Sequence, residues 1–298
     1  MIDRTMEDFI LENLEFGKYH GLGNDYIIIN DIKWKIPEEK KSTLALKLCE
    51  IHFSIGADGL IFICESNRAD IKMRIFNNDG LEAEMCGNGI RCFSKYLYEN
   101  MIIKKEEIKI ETLKGIMIAS LNIVDNKVKA VKIDMGPPIL KCEEIPVNLD
   151  SLLNRCVNEP LVILDKVFNF TAVSMGNPHA VIFVEEQLND DKLTMYGAAI
   201  ESHHYFPKKA NVEFVKVISK EECIVRVFER GVGITKSCGT GACATVVAGT
   251  VLGIFNEKVP ITVHNDGGDL KITYTGKTVL MEGPIEKVFD GVIEKLRI

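Results

Sequence analysis

Two segments of the chain place a cysteine directly before a glycine-rich tripeptide: Cys86-Gly87-Asn88-Gly89 and Cys238-Gly239-Thr240-Gly241. After Cys86 the apolar residues Ile90, Phe93 and Leu97 recur at helical spacing, so the thiol stands at the mouth of a helix. A helix N-terminus carries unpaired N–H groups and a partial positive charge; it binds carboxylates and favours a thiolate. A carboxylate held by two such mouths would have one cysteine on each side of its α-carbon. One thiolate could remove the α-hydrogen while the other thiol returns a proton to the opposite face, the N–H groups stabilising the enolate-like charge, and the stereocentre would invert. Cys49, Cys64, Cys142, Cys156 and Cys223 are read as ordinary buried thiols, and Cys92 and Cys243 as core positions inside the two helices. A redox dithiol is the rival chemistry, but the chain has no Cys-x-x-Cys.

The elements that position these thiols follow from the pattern around them. A glycine-rich turn, Gly17 to Asp25, leads into a strand at Tyr26–Asn30. A helix spans Pro37 to Ile51 with a start at Ser42 or Thr43. Strands follow at Leu60–Ile63 and Ile71–Phe76, the latter ending in the turn Asn77-Asn78-Asp79-Gly80. The chain also repeats itself. Met73-Arg74-Ile75-Phe76 precedes Cys86 as Val225-Arg226-Val227-Phe228 precedes Cys238, at an offset of 152 residues. Gly23-Asn24 matches Gly176-Asn177, and His52-Phe53…Ala57-Asp58 matches Tyr205-Phe206…Ala210-Asn211, both at 153. Three anchors in one order imply an internal duplication. Each half reads as mostly short strands with one or two helices, further strands being expected at 109–111, 128–134, 211–217, 224–228, 279–282 and 288–298. The break is placed at Met135-Gly136-Pro137-Pro138.

The 298 residues suffice for two domains, 46% of them apolar and 27% charged. No apolar run reaches the roughly 20 residues needed to span a bilayer, so no membrane role is expected. The acidic start, Met1 to Phe16, lacks the pattern of a secretory peptide and reads as a short amphipathic extension. Nine cysteines without an export signal point to reduced thiols in a cytosol. Cys86/Cys92 and Cys238/Cys243 have the wrong spacing for structural zinc, and no metal is expected. A net charge of −7 without a Lys/Arg cluster argues against nucleic acid and leaves small molecules as the ligands.

Taken together, His20–Asp25, Phe76–Gly80, Cys86–Gly89, Ser174–His179, Ala210-Asn211, Glu229–Gly231 and Cys238–Gly241 resemble the diaminopimelate epimerase family, in order, from about Phe16 onward. The resemblance implies an α/β (α+β) fold of two pseudo-symmetric domains. Each would be a curled, mostly antiparallel sheet around a central helix, with the active site in the cleft between them. The expected division is an extension at 1–15, a first domain at 16–135 to which the strand 286–298 returns, and a second domain at 136–285. It further implies a cofactor-independent two-base epimerase of lysine biosynthesis that interconverts LL- and meso-2,6-diaminoheptanedioate, with Cys86 and Cys238 as acid and base.

On the same basis Gly87-Asn88 and Gly239-Thr240 hold the reacting carboxylate, and Asn24, Asn77, Asn177, Asn211, Glu229 and Arg230 bind the rest of the substrate. Arg230 suits a distal carboxylate, and His179 with Glu229 tunes the thiols. Gly59 departs from members that place a substrate-touching polar side chain there. Phe289 stands where some members carry a hydroxylated aromatic linked to dimer formation, which leaves a homodimer open. The nearest rival within this fold is a racemase of proline, histidine or a lanthionine-like amino acid.

Overall fold

Four runs of consecutive buried residues organise the molecule, 26–29 and 59–63 in one half and 179–182 and 211–215 in the other. Strands in parallel pairs, covered on both faces, have this unbroken burial, whereas a half-exposed strand alternates. The computed structural model describes residues 9–149 and 154–298. The chain divides into two compact units, Met1–Val131 with Ile285–Ile298, and Lys132–Pro284.

In the first unit the chain runs β1 (Ile10–Gly21), β2 (Asn24–Asn30), α1 (Asp31–Trp34), α2 (Glu38–Cys49), β3 (Gly59–Cys64), β4 (Ile71–Asn77), β5 (Glu82–Ala83), α3 (Gly87–Glu99), β6 (Glu107–Thr112) and β7 (Gly115–Val124). β2 lies antiparallel to β1 and parallel to β3, with Tyr26 beside Gly59; β3 and β4 are antiparallel. β4 then pairs antiparallel with the stub β5 and parallel with β6, which pairs antiparallel with β7. On one face Ile27, Ile29, Leu60 and Phe62 pack with Leu44, Ala45 and Leu48 of α2. α3 packs against β1, β2, β4 and β7, and its buried residues 88–95 and Leu97 cover more than one side, as an internal helix requires.

β8 (Lys127–Asp134) carries the chain into the second unit, which runs β9 (Glu159–Ile163), β10 (Lys166–Ser174), β11 (Pro178–Phe183), α4 (Asp190–Glu201), β12 (Asn211–Ser219), β13 (Glu222–Glu229), β14 (Gly233–Thr235), α5 (Gly239–Val251), β15 (Ile261–Asn265), β16 (Gly268–Tyr274) and β17 (Val279–Pro284). From β10 onward the pairings repeat those of the first unit in order: antiparallel, parallel, antiparallel, a stub, parallel, antiparallel. Phe168, Phe170 and Phe214 pack with Leu193, Tyr196 and Ile200 of α4. α5 packs against β10–β13, β16 and β17. Rich in Gly, Thr and Val, α5 has weak intrinsic helix propensity, and its burial from Gly241 through Gly249 supplies the stability. The last strand, β18 (Glu286–Arg297), returns to pair antiparallel with β1.

Three expectations need correction. The segment before Phe16 is no extension from Ile10 onward: it is the start of β1, with Ile10 opposite Arg297. Asn13, at φ +55°, kinks that strand, and Leu11 and Leu14 both reach the core; residues 1–8 lie outside the described residues. α2 begins at Glu38 behind Pro37 rather than at Ser42, whose hydroxyl instead donates to the Gly80 carbonyl at 2.8 Å. Beyond β8, Met135 N donates to Val279 O and Val279 N to Gly136 O, the last of these bonds before Pro137-Pro138. Cys142 and Cys156 are not free thiols but a disulfide between residues 14 apart. Cys92 and Cys243 are fully buried within α3 and α5.

Candidate active site

Both glycine-rich cysteine motifs begin a 13-residue helix, Cys86 as the N-cap of α3 and Cys238 as the N-cap of α5, each with extended backbone. Neither helix has an acidic residue in its first turn. Their positive ends are therefore not offset by side chains of their own first turns. The turns Gly23-Asn24 and Gly176-Asn177 lead into β2 and β11, Asn24 as the first residue of β2 and Asn177 as the residue before β11. Gly23 at φ +85° and Gly176 at φ +106° take a backbone conformation that a side chain would strain.

In the first unit Asn24 organises the surroundings of Cys86. Its Nδ2 donates to Asp58 Oδ2 at 2.7 Å, which aims Oδ1 inward. That oxygen accepts from the Tyr26 hydroxyl at 2.6 Å and from Asn88 Nδ2 at 3.1 Å, and lies 3.7 Å from Cys86 Sγ. The Tyr26 hydroxyl is also 2.9 Å from Cys86 Sγ. Asp58 accepts from the Asp25 amide at 2.9 Å, and Asn88 Oδ1 accepts from the fully buried Arg91 at 2.6 Å. Burial pushes the Tyr26 hydroxyl well above its ordinary range, with the Cys86 charge adding to the effect. Asn77 lies exposed at the end of β4; its carbonyl accepts from Gly80 N at 2.9 Å, and the next amide, Asn78 N, donates to Asp58 O at 3.1 Å.

In the second unit the neighbours are acidic. Cys238 Sγ accepts from Gly241 N at 3.4 Å and lies 3.4 Å from Thr240 Oγ1, which accepts from Asn177 Nδ2 at 3.3 Å. That choice of donor leaves Asn177 Oδ1 facing His179 Nε2 at 3.0 Å, so Nε2 carries a hydrogen. His179 Nδ1 sits 2.7 Å from Glu213 Oε1, both side chains wholly buried. A single proton therefore lies between imidazole and carboxyl. Glu213 Oε2 has no hydrogen-bond partner among the described residues.

Gly241 has to be glycine here, since a Cβ would come within 2.6 Å of Glu213 Oε1. Glu229 accepts from the Thr235 hydroxyl. Burial raises the Glu229 carboxyl, and Glu213 raises it further against the opposing pull of Thr235, His179 and Cys238. Burial, then Glu229 and Glu213, push the Cys238 thiol well above its usual value. Asn211 donates to Pro178 O at 3.1 Å and accepts from Arg230 N at 2.9 Å; the Arg230 guanidinium, otherwise exposed, donates to Lys208 O at 3.1 Å.

The structure thus gathers Asn24, Cys86, Gly87 and Asn88 in one unit, with Asn77 at its edge. In the other it gathers Asn177, His179, Asn211, Glu229, Arg230, Cys238, Gly239 and Thr240. Sequence reasoning did not single out Tyr26, Asp58 or Glu213. The repeat offset held the signal for the first, since 153 residues relate Tyr26 to His179. Among the described residues, no group of three or more His, Cys, Asp and Glu side chains is arranged to hold a metal ion. No helix there is long and apolar enough to cross a membrane.

A diaminopimelate epimerase family model matches residues 16–141 and 171–288. The chain is 49% identical over 279 residues to a diaminopimelate epimerase of Pelotomaculum thermopropionicum, covering 93% of this chain and 98% of the relative. It is 49% identical over 282 residues to that of Halothermothrix orenii, covering 94% and 98%. Among solved structures it shares its fold with a phenazine biosynthesis protein of the PhzF family from Bacillus anthracis, at TM-score 0.70 and 18% identity over 95% of this chain and 99% of the other. A hydroxyproline epimerase from Agrobacterium vitis aligns at TM-score 0.66 and 15% identity, over 95% and 92%.

Proposed function

The chain belongs to the diaminopimelate epimerase family, and we propose that Cys86 and Cys238 are the two proton carriers with which it inverts an amino-acid α-carbon. It is an isomerase of lysine biosynthesis. The substrate in this reading is 2,6-diaminoheptanedioate, whose LL and meso forms differ at one α-carbon. The supporting observation is the duplicated device itself, a cysteine capping a long helix whose first turn carries no acid.

The chemistry needs a thiolate on one face of the α-carbon and a thiol on the other. The thiolate takes the α-proton, and the electron pair left behind spreads into the carboxylate, where the N–H groups at Gly87-Asn88 and Gly239-Thr240 meet it. The second thiol then protonates carbon from the opposite face, leaving the first cysteine protonated and the second as thiolate. The reverse reaction exchanges the roles. Burial and two nearby carboxylates hold the proton on Cys238, which suits it to act as the acid in one direction.

A substrate ammonium beside Glu229 would offset that carboxylate's charge and ease deprotonation of Cys238 for the reverse direction. Asn24, Asn77, Asn177 and Asn211 bind the substrate's polar groups, and Arg230 its distal carboxylate. In the same proposal the two units arose by duplication, each supplying one thiol, and no metal or added cofactor takes part. A cytosolic setting, and a homodimer through the face that presents Phe289, complete it.

The test is isotope exchange. Reduced protein in D₂O with a panel of amino acids should deuterate the α-position of diaminopimelate selectively, read by mass spectrometry. Cys86→Ala and Cys238→Ala should each lose epimerisation by about 10³-fold while keeping the fold, on the scale of a removed acid or base. Full activity in either variant would sink the assignment.

A further inference from the structure

Tyr26 has an oxygen 2.9 Å from Cys86 Sγ and 2.6 Å from Asn24 Oδ1, although 60 residues separate it from the cysteine. It occupies the position in the first half that His179 occupies in the second. Each follows the Gly-Asn turn by two residues, and each contacts the amide oxygen of its own turn asparagine, Asn24 or Asn177. The geometry fixes the hydroxyl hydrogen. Asp58 holds the Asn24 amide nitrogen, so its oxygen faces Tyr26 and receives that hydrogen. The Tyr26 oxygen is left to accept from the Cys86 thiol, since one hydroxyl donates once.

We propose that Tyr26 is the positioning residue for proton transfer at Cys86, its hydroxyl accepting from the thiol and turning to donate to the thiolate. The proposal rests on the reading of Cys86 as a proton carrier. When Cys86 loses its proton, the Tyr26 hydrogen swings from Asn24 Oδ1 to the sulfur; when the thiolate takes the substrate's α-proton, it swings back. No proton leaves the tyrosine. Burial raises the phenol well above its ordinary range, so it remains a neutral donor throughout. Asn24 Oδ1 is not stranded in either state, because Asn88 Nδ2 donates to it at 3.1 Å.

The titratable and charged groups around the pair are Asp25 and Asp58 near β2 and β3, and Arg91 and Cys92 on α3. Asp58 and Arg91 each bind a neighbouring amide, of Asn24 and of Asn88. The phenol is the group whose hydrogen reaches the sulfur. A hydrogen bond to the charged form favours that form, so the hydroxyl eases thiolate formation at Cys86 and at no other cysteine.

The experiment is alkylation of the reduced protein by iodoacetamide from pH 6 to pH 10, with labelling of the Cys86 and Cys238 peptides resolved by mass spectrometry. Tyr26→Phe removes one oxygen from a buried strand position and should move the Cys86 midpoint up by about one pH unit, the size expected for losing one hydrogen bond to the charged form. The Cys238 midpoint should stay in place. Replacing Tyr26 by 3-fluorotyrosine, a stronger donor, should move the Cys86 midpoint down and so tests the idea without deleting the contact. An unchanged Cys86 midpoint in both proteins overturns the inference, as does an equal shift at Cys238. If Cys86→Ala still deuterated diaminopimelate while Tyr26→Phe shifted Cys86 labelling, the proton-carrier reading would fail and the Tyr26 contact would stand.

Discussion

The two units place a cysteine at the same point of the same strand and helix pattern, yet they surround it with different chemistry. Cys86 meets a phenol and amides: Tyr26 at 2.9 Å, Asn24 at 3.7 Å, and an acid, Asp58, one hydrogen bond further back. Cys238 meets Thr240 and a backbone amide, with Glu229 and Glu213 close enough to raise its pKa. Position by position, Tyr26 corresponds to His179 and Ile61 to Glu213, since Ile61 pairs with Ile75 of β4 as Glu213 pairs with Val227 of β13. The helix mouth alone therefore does not set a thiol's protonation state. It offers the same partial charge twice, and burial with two carboxylates overrides it at Cys238.

Glu213 is where that contrast is easiest to break. Its side chain is wholly buried, shares one proton with His179 and leaves one oxygen without a hydrogen-bond partner among the described residues. Glu213→Gln removes the charge at nearly constant volume. It should lower stability by about 3 kcal/mol, because the buried imidazole loses its ionic partner, and denaturant melts will read this. The same change takes one of the two carboxylates away from Cys238. Alkylation of Cys238 should then begin at lower pH while that of Cys86 keeps its profile. A Cys238 profile that does not move would show that burial alone holds the thiol.

The paired glycines Gly89 and Gly241 sharpen the comparison at a single methyl. A Cβ at Gly241 would meet Glu213 Oε1 at 2.6 Å and Cys238 Sγ at 3.3 Å. At Gly89 the nearest atom is the flexible end of Ile75, at 3.1 Å. Gly241→Ala should destabilise by about 2 kcal/mol through overpacking, and should disturb Cys238 labelling. Gly89→Ala should change stability by less than about 1 kcal/mol, the strain being relieved by a side-chain shift. Equal effects in the two units would mean that Glu213 is mobile enough to yield.

Much of this arrangement was legible beforehand because duplication writes the same signal twice. Two Cys-Gly-x-Gly motifs at one offset located both helix starts, and the Gly-Asn turns located the asparagines beside them. What escaped notice were contacts made by residues that look like core. Tyr26 lies in Tyr-Ile-Ile-Ile, where an aromatic reads as strand packing, and only the three-dimensional approach of β2 to α3 brings its oxygen to Cys86. Glu213 lies in Asn-Val-Glu-Phe-Val, where alternation would send an acid to solvent, but β12 is covered on both faces and the acid is enclosed. The start of β1 was obscured differently: the kink at Asn13 puts Leu11 and Leu14 in one core, and a spacing of three suggests helix. The Cys142–Cys156 bridge could not be read from spacing, since neither position carries a pairing signal.

A small, pH-dependent effect concerns the ionic clusters on matching strands, which should make the two units fail at opposite ends of the pH scale. In the first unit Arg74 binds Glu82 at 2.7 Å and also holds Glu38, whose carboxyl that contact draws down from 4.5 to about 2. A depressed carboxyl contributes stability above its unfolded value and loses it as pH falls toward the folded one, here between about 4.5 and 2. In the second unit Arg226 binds Asp190 and Asp266, and nearby His264 is bracketed by Glu222 and Asp269, each at 2.7 Å. Hydrogen bonds that its ring N–H groups donate to those two carboxylates raise His264 above its ordinary 6.5. The stability it adds is full below 6.5 and disappears as pH rises through the raised value. His264→Asn should therefore lower the melting temperature at pH 6 by about 2–4 °C, for roughly 1 kcal/mol in a partly exposed cluster, and change it little at pH 9. Glu38→Gln should flatten only the acid side of the same curve. If both substitutions acted on one side, the two clusters would not be independent, and the thermal transition would be reporting a single cooperative unit.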